Sequence, residues 1–312
     1  MTETHMHRAM VLGASGMLGS MVLDYLARDA SFSMAASVRA PSQKRLIEEA
    51  VPGIRCELMD ARTATEGHLR DMLADADWAI NAIGITKPYI REDNPGEIDR
   101  AIRTNALFPH TLARAAEQSG CHVLQIATDC VYSGLKGNYV ESDEHDPLDV
   151  YGKTKSLGEV YSPNVHHLRG SIIGPEPKAH VFLLDWFLRQ PHHARLNGFT
   201  NHLWNGMTTL HFAKLCRSVI VGGIEPPHVQ HVTAGGNISK ADMLRSFQKS
   251  YHREDIEISE TVAAKAIDRT LATQSEALHR QLWLGAGYDS PPTVPEMIDE
   301  LAHFRARWTE AG

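Results

Sequence analysis

The chain has 312 residues, 43% of them hydrophobic and 22% charged, which allows one large core or two modest ones and excludes the disordered and fibrous classes. A formal charge of −7, with no Lys/Arg block interleaved with aromatics, argues against nucleic acid as a partner. The longest apolar stretches, such as Val181 to Leu188 with its Asp185, fall short of the ~20 residues a bilayer span needs, so no membrane partner is expected.

Met1 to His7 carries Glu3 and two histidines, without the basic start or apolar run of a secretion signal, and a cytoplasmic location is expected. From there short apolar runs alternate with helix-length amphipathic stretches. Ala9 to Leu12 reads as a strand and Met17 to Ala27 as a helix; Phe32 to Val38 and Gln43 to Ala50 repeat the pair. Cys56 to Met59, a helix around Glu66 to Leu73, Trp78 to Ile83, a helix from about Ile98 to Gln118, and His122 to Ala127 continue it. This βαβα rhythm predicts an α/β fold with a doubly wound parallel sheet of the Rossmann type.

After Ser133 the pattern turns loop-rich to Asp149. A helix then begins near Tyr151, and strands are predicted at His167 to Ile173 and His228 to Thr233. Helices are predicted at Phe182 to Arg189, Leu210 to Val221, Lys240 to Tyr251 and Val294 to Arg307. The expected division is a dinucleotide-binding Rossmann domain over 1–174, with a late strand near 228–234, and a smaller, mostly C-terminal substrate-binding lobe over 175–312.

Four cysteines stand far apart with no C-x-x-C pair and read as reduced structural thiols. Eighteen histidines include no H-E-x-x-H spacing, and no metal is expected.

Directly after the first strand comes Gly13-Ala14-Ser15-Gly16-Met17-Leu18-Gly19. Glycines there allow a tight turn and let backbone N–H groups approach a pyrophosphate at the positive end of a helix. Gly13, Ser15, Gly16, Met17 and Leu18 are therefore candidate cofactor contacts. About twenty residues on, where an NAD site places an acid for the ribose hydroxyl, stand Ser37-Val38-Arg39, suited to a 2′-phosphate unless Arg39 is simply a solvated loop residue. NADPH is the expected cofactor, with NADH as the alternative. Asp60, with Ala61 beside it, ends the third strand as a candidate adenine partner, and Ala82, Ile83 and Gly84 would let a cofactor lie across the fourth.

Tyr151 and Lys155 are four apart at a helix start, which puts both on one face. Together with the Gly13 to Gly19 loop, Asn81 to Gly84, Asn105 with Pro109, and Thr128-Asp129, they make a set that resembles the extended short-chain dehydrogenase/reductases, in the branch of dTDP-4-dehydrorhamnose reductase. The resemblance implies that Tyr151 donates a proton to a carbonyl oxygen and that Thr128 hydrogen-bonds that oxygen. It implies that Lys155 binds the nicotinamide ribose and lowers the tyrosine pKa, with Asn105 close to the cofactor or shaping the active-site helix. Asp129 either contacts substrate or caps the strand end.

The implied substrate is a nucleotide-diphosphate sugar. Lys87 and Arg269 are candidates for its diphosphate, and the loop Thr200 to Gly206, with Trp204 and the amides of Asn201 and Asn205, either forms a substrate wall or packs as an ordinary part of the lobe. Two departures from the branch stand out. Gly170-Ser171-Ile172-Ile173 lacks the tryptophan of the rhamnose-pathway enzymes, and the 200–206 loop is this chain's own. The implied function is NADPH-dependent reduction of a nucleotide-linked 4-keto-6-deoxyhexose. Alternatives are an epimerase or dehydratase on the same scaffold, or a non-catalytic NADP-binding regulatory subunit. Relatives also imply a homodimer through the helices near Asn105 and Tyr151.

Overall fold

The computed structural model describes residues 6–307; residues 1–5 of the N-terminal stretch examined for a secretion signal lie outside the described residues. The first half runs β1 (His7–Leu12), α1 (Met17–Leu26), β2 (Phe32–Val38), α2 (Pro41–Ala50), β3 (Arg55–Leu58), α3 (Glu66–Leu73), β4 (Trp78–Asn81), α4 (Pro95–Ala101), α5 (Phe108–Ser119) and β5 (His122–Ala127). Then follow α6 (Val150–Leu157), β6 (Val165–Arg169), β7 (Ile172–Ile173), α7 (Leu183–Leu188), β8 (Arg195–Phe199), β9 (His202–Trp204), β10 (Met207–Thr208) and α8 (Thr209–Val221). The chain ends with β11 (Val229–His231), β12 (Ile238–Ser239), α9 (Lys240–Ser250), β13 (Glu257–Thr261), β14 (Ile267–Asp268), α10 (Glu276–Gly285) and α11 (Val294–His303).

Seven strands form the central sheet in the order β11-β6-β5-β4-β1-β2-β3, and every pairing in it is parallel. The order reverses at the β1/β4 pair, where crossovers diverge to opposite faces and leave a crevice beyond the carboxyl ends of the strands. Leu12 is level with both Ser37 and Asn81, so three strand ends open onto one site.

Alternation along β1 feeds two cores. Ala9 and Val11 join Leu18, Val22 and Leu26 of α1 and Phe212, Leu215 and Val219 of α8 on one face. Met10 and Leu12 join Leu69 and Leu73 of α3 and Phe108, Leu112 and Ala116 of α5 on the other. Phe212 and Leu215 of α8, each stabilising by about 2 kcal/mol when fully buried, place that helix in the same core as α1. The boundary expected at residue 174 is thus crossed by packing: α8, assigned from sequence to the substrate lobe, closes a face of the Rossmann layer.

Two further expectations are corrected. The strand predicted over His167 to Ile173 breaks after Arg169. A Cβ on Gly170 would come within 3.0 Å of the Val232 carbonyl oxygen, and Ile172 and Ile173 pair with Met207 and Thr208 instead. The single helix predicted from Ile98 to Gln118 is interrupted by a π turn over Ile102–Leu107, where Asn105 is drawn to the backbone of Ile85. Sequence reading missed α10 and the short strands of the smaller lobe, which follow no clear hydrophobic period.

Candidate active site

The strand ends, the segment after β7 and the loop around β9 enclose a cleft of about 1050 Å³. At its outer end lies the glycine-rich loop. Gly13 has φ +81°, and a Cβ there would meet Ile83 Cγ1 at 2.7 Å; a Cβ on Gly19 would meet the Gly13 carbonyl oxygen at 2.2 Å. Gly16 begins α1 with no side-chain cap, and the first turn holds no acid, so its N–H groups are left for an anionic ligand. Gly13, Ser15, Gly16, Met17 and Leu18 all line the cleft, and these features fit a dinucleotide diphosphate.

On the 2′-phosphate side Ser37 and Arg39 both line the cleft. Ser37 is 1% exposed, and both its carbonyl and its hydroxyl accept from Gly13 N–H, so it braces the loop. Arg39 is exposed on the cleft wall. Asp60, expected at an adenine, accepts from Arg62 Nε at 3.0 and 3.1 Å with its two oxygens, and this contact holds its carboxyl below the usual range. Ala61 lines the wall beside it. Arg62 itself, which sequence reading missed, faces the cleft.

Ala82, Ile83 and Gly84 line the floor. Below them Asn81 Nδ2 donates to Gln125 Oε1 at 2.6 Å, and its Oδ1 accepts from Ile83 N–H at 3.1 Å. Asn105 is no part of the cleft lining. Its amide donates to the Ile85 carbonyl and to Thr154, its oxygen accepts from Ile85 N–H, and at 2% exposed it shapes the floor from behind.

The inner end gathers Thr128, Asp129, Tyr151 and Lys155. Asp149 caps α6 by accepting from Gly152 N–H at 2.8 Å, and its other oxygen pairs with Lys87 at 2.6 Å. Gly152 lets the first turn of α6 lie on the Cys130 carbonyl, 2.2 Å from where a Cβ would be. That close approach sets the Tyr151 phenol at the inner end of the cleft beside Thr128.

Burial is the main influence on titration here. It raises the Tyr151 phenol and the Asp129 carboxyl, pushes the Cys130 thiol up to about 12, and pulls the Lys155 ammonium down to about 8. Lys155 Nζ donates to the Ile126 carbonyl at 2.9 Å.

On the far wall Trp204 and Arg269 line the cleft, and Arg269 Nε donates to the Tyr132 carbonyl at 2.9 Å. Asn205 does not line it: its side chain accepts from Leu271 N–H at 3.0 Å and donates to the Leu271 carbonyl at 2.7 Å. Asn201 clamps Ala263 in the same way. Both amides that sequence reading offered to a substrate are spent on joining the loop to its neighbours, since a buried amide must be satisfied where it lies. Sequence reading also missed Lys178, Phe182 and Lys240, which line the cleft. Lys240 opens an ordinary-looking helix, and burial holds its ammonium below the usual value against the nearby Asp129.

Among the described residues, no group of three or more His, Cys, Asp or Glu side chains is gathered as a metal site requires, and no helix is long and apolar enough to cross a membrane.

The model of the RmlD substrate-binding domain family matches residues 6–267. The chain belongs to this family. A dTDP-4-dehydrorhamnose reductase of Mycolicibacterium smegmatis is 26% identical over 184 residues, covering 58% of this chain and 46% of that protein. The chain thus spans about half the length of that relative. Methionine adenosyltransferase 2 subunit beta of Danio rerio is 24% identical over 266 residues, 78% of this chain and 81% of that one. A crystal structure of dTDP-4-dehydrorhamnose reductase from Bacillus anthracis, in complex with NADP, superposes with a TM-score of 0.70 at 15% identity, covering 95% of this chain and 98% of that one. That likeness shows the family's doubly wound fold.

Proposed function

We propose that the chain is an NADPH-dependent reductase of the 4-keto group of a nucleotide-linked 6-deoxyhexose. The observation that carries this reading is the meeting of Thr128, Tyr151 and Lys155 at the inner end of a cleft whose outer end is a glycine-rich phosphate loop. A bound dinucleotide would supply the hydride.

The chain's own residues supply the proton and the polar surroundings. Burial keeps the Tyr151 phenol protonated at neutral pH, the state from which a general acid must start. The Thr128 hydroxyl, beside that phenol in the cleft, is placed to hydrogen-bond the substrate oxygen and stabilise the developing alkoxide. Lys155, with its pKa near 8, is charged at pH 7 and offsets the phenolate left when the proton moves. Lys87, Arg269 and Lys240 line the same region and suit a substrate diphosphate, while Asp129, deeply buried beside Thr128, faces the sugar. Exposed Arg39 favours NADPH over NADH. Family membership and the reductase relative support this substrate class.

A second reading, a non-catalytic NADP-binding regulatory subunit, draws support from the methionine adenosyltransferase subunit, which aligns over more of this chain than the reductase does. One experiment separates the two. Purified protein is mixed with NADPH and a panel of nucleotide-linked 4-keto-6-deoxyhexoses, beside Tyr151→Phe. Lasting NADPH oxidation by the wild type and not the variant is expected. Tight NADPH binding without oxidation of any panel member would overturn the reductase and favour the subunit, or an epimerase that returns its hydride in each cycle.

A further inference from the structure

Residues 174–182, between β7 and α7, form a strap beside the outer end of the cleft. Its base is tied down: Glu176 N–H donates to Asp185 Oδ2 at 2.6 Å, and Phe182 N–H donates to the Glu176 carboxylate at 2.8 Å. His180 Nδ1 lies 3.3 Å from the same Asp185 oxygen. Between these ties the backbone is forced into the left-handed region at two consecutive side-chain-bearing residues, Ala179 at φ +71° and His180 at φ +54°. Such a conformation persists only where its surroundings impose it.

Directly before that turn, Lys178 reaches over to the glycine-rich loop, where its ammonium donates to Ser15 Oγ at 3.3 Å. The contact joins residues 163 apart in sequence. A neutral hydroxyl is a weak partner for a full charge. Among the described residues Lys178 is in no ion pair, and burial, with the charge of Arg39 adding to it, holds its ammonium below the usual value. Of the carboxylates that line the cleft here, Asp60 is gripped by Arg62 and Glu176 is engaged by Phe182 N–H. Arg39, Arg62 and Lys178 therefore face the outer end, and two of them, Lys178 and Arg39, repel each other. A dianion seated between them would turn that repulsion into two attractions.

We propose that Lys178 is a cofactor-specificity residue which, together with Arg39, grips the 2′-phosphate of NADPH from the strap. The proposal rests on the dinucleotide reading of the cleft and adds to it a contact from the far part of the chain. The strap lysine carries discrimination between NADPH and NADH, because the nucleotides differ only in the group it grips.

The test is calorimetric titration of the full chain with NADPH, NADH, adenosine 2′,5′-bisphosphate and AMP, for wild type, Lys178→Met and Lys178→Arg. Lys178→Met is expected to weaken NADPH and the bisphosphate by about tenfold or more, the worth of one charge-assisted phosphate contact, and to leave NADH and AMP within about twofold. Lys178→Arg is expected to restore most of the loss. Equal weakening of NADPH and NADH, or no weakening of either, overturns the grip while leaving the dinucleotide site standing. Wild type that binds none of the four ligands overturns both. Unliganded melting temperatures of the variants, expected to match wild type because Lys178 is exposed, separate a lost contact from a lost fold.

Discussion

Arg39 and Lys178, at the outer end of the cleft, are exposed, whereas Thr128, Asp129 and Lys155, at the inner end, are each at most 7% exposed. Charges at the outer end keep part of their water and are screened by it, even where burial lowers the Lys178 ammonium. Groups at the inner end have lost their water, and burial is the first cause of every shift there, raising the phenol and the carboxyl and lowering the ammonium. The contrast separates binding from chemistry. One end can select a ligand by adding or removing a single cation, while the other holds protonation states that depend on how tightly α6 is packed.

Breaking the inner end should have the largest effect. Tyr151→Phe is expected to lower turnover by roughly a thousandfold, about 4 kcal/mol in the barrier, with NADPH affinity unchanged by titration. Next comes Gly152→Ala, whose added Cβ would stand 2.2 Å from the Cys130 carbonyl oxygen and push α6 away. It should lower stability by about 2 kcal/mol in thermal melts and turnover by about tenfold or more. If the variant kept full turnover, the close approach of α6 would not be what sets the site.

A pH profile sharpens the same comparison. The Lys155 pKa is lowered to about 8, so its ammonium is present below that pH and lost as pH rises through it. Tyr151 is shifted the other way and stays protonated across this range. The expected profile of kcat/KM falls above about pH 8, and Lys155→Arg should flatten that fall even where it lowers the plateau. The smallest effect belongs to the outer end. Raising salt from ~0.05 to ~0.5 M should weaken NADPH binding several-fold and leave turnover at saturation nearly unchanged. A salt response in turnover of equal size would remove the distinction between the two ends.

Much of the scaffold is legible in the sequence. Strands at Phe32–Val38 and His122–Ala127 and the helix at Glu66–Leu73 match their predicted bounds, because each is a local run whose period and punctuation declare it. The π turn around Asn105 was not legible. It answers to the Ile85 backbone twenty residues away, which no local pattern encodes.

The amino-acid order alone determined the strand and helix alternation, the glycine-rich turn, and the placing of Tyr151 and Lys155 on one face. These depend on backbone geometry over a few residues, where Gly13 or an i,i+4 spacing has only a few structural outcomes. Tertiary structure decided which polar side chains remain free to act. Asn105, Asn201 and Asn205 looked as available as any, yet each is consumed by a distant backbone segment, while Lys178 and Lys240, unremarkable in sequence, are brought to the cleft. A buried hydrogen-bonding group must find partners wherever the fold leaves them, and those partners are set by long-range packing rather than by neighbours along the chain.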